Sequence, residues 1–155
     1  LSVAYFVTKD IRQSTTSAGA DNWLTVSIMT YNSLPPGTII SLSGLTGSLT
    51  KSSPALDVYA AQPNRTGSIF NTTGTWIQKA GTLALPIVQI TEPNLLYTFQ
   101  FMLQNPMNGQ DAPDISIETT GEVTISKEVA NSAPGNEAPL LVSDIIVRKI
   151  GQSTC

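Results

Sequence analysis

Histidine is missing from this sequence, and cysteine occurs once, at the last position. The first absence removes the commonest general base and the commonest metal ligand. The second removes any internal disulfide, any thiolate metal site and any Cys/His nucleophile pair. Charge is scarce as well: Asp, Glu, Lys and Arg make up 12% of the residues, about half the usual share. The formal net charge of -3 leaves no basic footprint, so nucleic acid and anionic membrane are poor partners. No apolar run approaches the roughly 20 residues that a spanning helix needs. GxSxG, Walker and dinucleotide fingerprints are all absent. The expectation is a chain that is not an enzyme and carries no metal and no cofactor.

What remains is hydrophobic residues at 41%, 10 prolines and 11 glycines, with Ser and Thr near a fifth of the whole, a surface of hydroxyls and amides rather than ions. That composition suits β-structure outside the cell. Extended signals run from end to end. Residues Val3 to Lys9 are β-branched and aromatic. Residues Trp23 to Thr30 place Leu24, Val26 and Ile28 on one face, and Leu96 to Leu103 place Tyr97, Phe99 and Phe101 on one face. The LPPG turn at Leu34 to Gly37 precedes a strand over Thr38 to Ser43. Leu56 to Ala60 is a short strand, Gly74 to Gln78 another, and Leu83 to Ile90 is interrupted by Pro86, which predicts an edge strand or a bulge. Ile115 to Thr119 and Glu122 to Lys127 predict a hairpin, and Asn131 to Pro139 reads as a linker. No amphipathic helix is present. The pattern predicts an all-β chain: a single β-sandwich of jelly-roll or Greek-key type with nine or ten strands.

One segment occurs twice. VAYFVTKDIRQST (Val3 to Thr15) aligns without a gap to VSDIIVRKIGQST (Val142 to Thr154) at an offset of about 139 residues. Val3/Val142, Ile11/Ile150, Gln13/Gln152, Ser14/Ser153 and Thr15/Thr154 are identical, while Phe6/Ile145, Val7/Ile146 and Lys9/Arg148 keep their character. A segment that opens a module and reappears after its last strand is what a cut through a tandem array looks like. Residues 1–139 then form one β-sandwich repeat. Residues 140–155 are the first strand of the next repeat, or a strand donated to a neighbouring subunit through Val142, Ile145, Ile146, Val147 and Ile150. A chain that opens on Leu1 is expected to come from something longer. Cys155 stands where the first copy has Thr16, which makes it incidental to the fold.

The motifs LPPGTIISLSGLTGS (Leu34 to Ser48), GTWIQKAGTLALPI (Gly74 to Ile87), YTFQFMLQNPMNGQDAPDISIE (Tyr97 to Glu118) and the KIGQST tail add a resemblance. Together they resemble a repeat module of very long secreted or cell-surface proteins of algae and other protists. The resemblance implies modules strung in tandem, a filament or surface-coat role, and no catalytic residues. The chain departs from the pattern at Arg12, where the tail has Gly151, and at Cys155.

Three further features bear on function. Sequons stand at Asn64-Arg65-Thr66 and Asn71-Thr72-Thr73 and predict glycan attachment at Asn64 and Asn71. Asn105, Asn108, Asp111 and Asp114 could offer oxygen ligands to calcium, although turn-forming Asx residues explain them more simply. Trp23 and Tyr97 are the aromatics with the best claim to an exposed sugar-stacking face, whereas Trp76, Phe99 and Phe101 are expected in the core. The leading expectation is therefore a structural subunit of an extracellular glycoprotein filament or cell-surface coat. Its partners are copies of itself and glycans. The alternative is a carbohydrate-binding or adhesive module, and a jelly-roll shell protein comes third.

Overall fold

The computed structural model describes residues 3–60 and 68–144. All of the regular structure in them is β, apart from one short 3-10 helix at Gly135–Glu137. The strands are β1 (Phe6–Gln13), β2 (Asp21–Thr30), β3 (Thr38–Ser43), β4 (Ser53–Ala60), β5 (Thr73–Ile77), β6 (Thr82–Pro86), β7 (Tyr97–Gln104), β8 (Ser116–Gly121), β9 (Ile125–Val129) and β10 (Asn131–Ser132). They hydrogen-bond in the order β10-β1-β2-β7-β4-β5-β6-β3-β8-β9, a single ten-stranded sheet that curls almost into a barrel. Nested antiparallel pairs organise it: β2 with β7, β3 with β6, and β4 with β5.

Two strands make the sheet turn back on itself. The first part of β4 pairs with β5 and its end, from Val58 to Ala60, pairs with β7. On the opposite side, β9 pairs with β8, a single residue (Ala130) intervenes, and β10 pairs in parallel with β1. Residues 125–132 thus join the two ends of the sheet, and a Lys9–Glu128 ion pair of 3.5 Å spans the seam.

Strict alternation produces this shape. In β2, Asn22, Leu24, Val26, Ile28 and Thr30 point inward; in β7, Tyr97, Phe99, Phe101 and Leu103 do. The rings of Phe70, Phe99 and Phe101 form the middle of the core, with Phe70 and Phe99 centroids 4.9 Å apart in edge contact. Each such side chain contributes about 1.5–3 kcal/mol by leaving water. Trp76 is buried too, and its indole N–H donates to the Thr50 carbonyl at 2.9 Å.

The predicted hairpin is present as β8 and β9, and Thr119 Oγ1 closes its turn by donating to the Val123 carbonyl and accepting from the Ile125 N–H. Gly121 (φ 91) lies against the Gly37 carbonyl, where a side chain would not fit. Pro86 requires a correction. It predicts an edge strand or a bulge, yet β6 lies inside the sheet between β5 and β3. Pro86 is tolerated because it is the last residue of β6; its carbonyl accepts from Asn71 N–H, and the chain's own donors resume at Ile87, which bonds Thr38. The linker-like stretch from Asn131 to Pro139 is likewise docked, carrying β10 and the 3-10 helix against β1.

The chain enters and leaves at opposite poles. Tyr5 accepts from the Tyr31 N–H at the start of β1, while Ser143 donates to Thr16 beyond the end of β1. Between these points β1 runs the full height of the barrel, roughly 30 Å at the usual rise per strand residue. We call these the inlet and outlet poles.

Candidate functional site

At the outlet pole three buried amides form one network. Gln13, Asn22 and Asn105 sit on the inward faces of β1, β2 and the chain just beyond β7, exposed by 5%, 0% and 0%. Asn22 Nδ2 donates to Gln13 Oε1 at 2.8 Å and to Asn105 Oδ1 at 2.9 Å. Asn22 Oδ1 accepts from the Ser14 and Thr15 N–H groups, and Asn105 Nδ2 donates to the carbonyls of Thr15 and Ser17. The loop between β1 and β2 is thereby tied to the loop after β7.

Gln13 extends the network to the departing chain. Its Nε2 donates to the carbonyls of Asn136 and Leu141, both at 3.0 Å, and its Oε1 also accepts from the Leu140 N–H at 2.6 Å. All four of its hydrogen-bonding positions are used. Gln110 clamps the same segment from the other side: its Nε2 donates to the Leu140 carbonyl, and its backbone N–H and C=O both bond Val142. Held from both sides, Leu140 keeps a left-handed backbone (φ 61) with its side chain fully buried. Such a conformation costs a bulky residue on the order of 1 kcal/mol and persists only when its surroundings enforce it.

Val142 is buried against its own barrel at 3% exposure. Ile145, Ile146, Val147 and Ile150 lie outside the described residues, and so does Asn64. Asn71 is half-buried beside the start of β5, where its Nδ2 donates to the Thr73 carbonyl at 3.0 Å. Of the four residues in the calcium reading, Asn105 is consumed by the amide network, while Asn108, Asp111 and Asp114 stand exposed. Among the described residues no three His, Cys, Asp or Glu side chains converge on a cation site.

The two proposed sugar-stacking aromatics separate. Tyr97 is buried at 2% exposure, packs edge-on against Phe70, and its hydroxyl accepts from the Glu92 N–H. Trp23 lies on the outer face, where it meets Tyr59 at 5.6 Å and 63°. With Leu56, Asp57 and Met102 the pair lines a shallow cleft of about 170 Å³. Further along the same face a groove of about 260 Å³ is lined by Asp10, Arg12, Thr25, Ser27, Asn131 and Glu137. The sequence reading missed Tyr59, because a lone tyrosine near a strand end carries no signal. It also missed the amide network, although Gln13, Asn22 and Asn105 share strand parity with Ile11, Leu24 and Leu103 and could be found that way.

No family model matches this chain, and no curated protein matches its sequence. Among the described residues no helix is long and apolar enough to cross a membrane.

Proposed function

We propose that this chain is a structural repeat of an extracellular filament or cell-surface coat, in which residues 142–154 supply the first strand of the next module. In this reading the nested strand order is a jelly-roll wrap, the module is a β-sandwich flattened from the near-barrel, and glycans decorate it at Asn64 and Asn71. One observation carries it. The inward positions of β1 are Phe6, Ile11 and Gln13, and the second copy of the segment keeps them as Ile145, Ile150 and Gln152. The outward positions Asp10 and Arg12 become Lys149 and Gly151. Every buried position of β1 therefore keeps a residue of the same kind, including a glutamine where β1 uses every hydrogen bond it can make, while the exposed positions divide: Val7 matches Ile146, and Asp10 and Arg12 change.

The test is complementation. A chain of residues 16–144, which lacks the first copy of the strand and, beyond Asp144, the second, is mixed with a peptide of Val142 to Thr154, and native β circular dichroism should return at micromolar peptide. The same peptide carrying Gln152→Leu should bind at least ten-fold more weakly, because the Asn22 amide and the Leu140 N–H lose their acceptor. Rescue by the Val3 to Thr15 peptide but not by Val142 to Thr154 overturns the reading.

The second reading, carbohydrate binding, rests on the outward-facing pair of half-buried Trp23 and exposed Tyr59 and on its cleft. A glycan array with Trp23→Ala and Tyr59→Ala variants tests it: specific binding lost in both favours this reading over a purely structural one.

A further inference from the structure

The inlet pole is apolar where it ought to be polar. Val3, Tyr5, Tyr31, Val88, Ile90 and Leu96 are all there and are between 44% and 77% exposed. Tyr5 and Tyr31 stack face to face at 5.1 Å. The connection from β6 to β7, which supplies Val88, Ile90 and Leu96, crosses this pole, and Asn94 N–H anchors it to the Thr30 carbonyl at the end of β2. A patch of this kind on one end of a module marks a surface that another body covers.

The occupant follows from counting residues, given the tandem reading above. Val142 corresponds to Val3, Ser143 to Ala4 and Asp144 to Tyr5. Ser143 is the last described residue bonded to the outlet pole, through its N–H to Thr16. Tyr5 is the first residue bonded in the next barrel, through its carbonyl to Tyr31. Those two anchor points are consecutive in the shared segment, so one peptide unit of about 3.8 Å separates one barrel from the next. No linker remains. The residue that is Val142, buried beside Gln110 in one module, is Val3 of the following one.

We propose that successive copies abut directly, the inlet pole of each seated on the outlet pole of the preceding copy. On that outlet pole Met107 and Leu49 are the large apolar side chains that stand exposed, at 62% and 39%. The contact turns a string of barrels into a rod, with rotation between neighbours blocked by the packed ends.

The experiment joins the whole chain through Thr154 directly to Thr16 of a second copy, so that Val142 to Thr154 serves as the second barrel's first strand. Small-angle scattering and the binding of an environment-sensitive dye for apolar surface are read on three proteins: the single chain, the two-copy chain, and the two-copy chain with eight Gly/Ser residues inserted after Ser143. Direct contact leaves one open inlet pole in the first two, so dye fluorescence per molecule should be equal, and the spacer should raise it, by less than two-fold because Asp144 stands for Tyr5 and Val142 stays on the first barrel. Scattering should give one fixed centre-to-centre distance that the spacer abolishes. Ile90→Asp with Leu96→Asp in the second copy should mimic the spacer. If both copies fold but dye binding is as high without the spacer as with it and the barrels orient independently, the contact is wrong while the tandem reading stands. If the second copy fails to fold on Val142 to Thr154, the tandem reading itself falls, and the contact with it.

Discussion

The two poles of this barrel solve opposite problems. The outlet pole gathers Gln13, Asn22, Asn105 and Gln110 over loops that would otherwise leave many backbone groups unbonded, and it meets that demand with side-chain amides, three of them buried. The inlet pole needs few such bonds, because its turns are closed by Thr91, whose hydroxyl accepts from the Leu34 N–H, and by backbone contacts, and it leaves apolar side chains in water. A well-bonded end and an exposed apolar one on the same barrel predict where the stability of the isolated chain resides. The stability of an isolated chain should depend heavily on the outlet pole and little on the inlet pole.

Asn22→Ala is the largest expected break. It removes the side chain that bonds Ser14, Thr15, Gln13 and Asn105 at once, in a site of 0% exposure. Each buried partner left without a bond costs about 1–3 kcal/mol. A loss of roughly 4 kcal/mol is expected, read as a drop on the order of 10 °C in the melting midpoint. A loss below about 1 kcal/mol would mean that water replaces the network without penalty.

Gln13→Leu comes next. The leucine fills a similar volume, so the packing term is small, but the Leu140 N–H and the Asn136 and Leu141 carbonyls lose their partner. About 3 kcal/mol is expected. Amide hydrogen exchange offers a sharper measure, because protection should fall at Leu140 and Leu141 before it falls in β2 or β7.

Much of the fold was open to sequence reading, and what escaped did so for physical reasons. β2, β3 and β7 announce themselves because one face is buried and the other wet, so period-two alternation is strong. β10 could not be read, since a two-residue parallel strand follows no pattern of its own and exists only because β1 is alongside. Pro86 misled because a proline rule about donors says nothing about where the strand ends. The duplication of Val3 to Thr15 at Val142 to Thr154 was visible as a repeat. What the sequence did not show is which positions of the first copy are buried: Phe6, Ile11 and Gln13. Gln13, Asn22 and Asn105 carry no core signal as residue types, although their parity with Ile11, Leu24 and Leu103 places them inward.

Tyr31→Ala moves the test to the inlet pole. Tyr31 is 47% exposed and stacks on Tyr5, a contact worth about 0.5–1.5 kcal/mol when well ordered. The expected cost is about 1 kcal/mol, well below either outlet-pole change. A cost as large as that of Asn22→Ala would erase the distinction between the poles.

The smallest expected effect is the most discriminating. Ile90→Ser in the single chain removes an apolar side chain that is 56% exposed and that no other inlet element covers in the isolated barrel. Surface changes away from special features usually stay within about 0.5 kcal/mol, so the melting midpoint of the single chain should hardly move, while dye binding to apolar surface falls. In the two-copy chain the same substitution, placed in the second copy, should lower the midpoint of that copy by more than it does in isolation, since the side chain is then covered by Met107 and Leu49 of its neighbour. Burial of an isoleucine at a contact contributes about 1.5–3 kcal/mol. A residue that is silent alone and costly in the pair has an interaction that belongs to the array. Equal effects in the two settings would place Ile90 in water in both, and the inlet pole would need another partner.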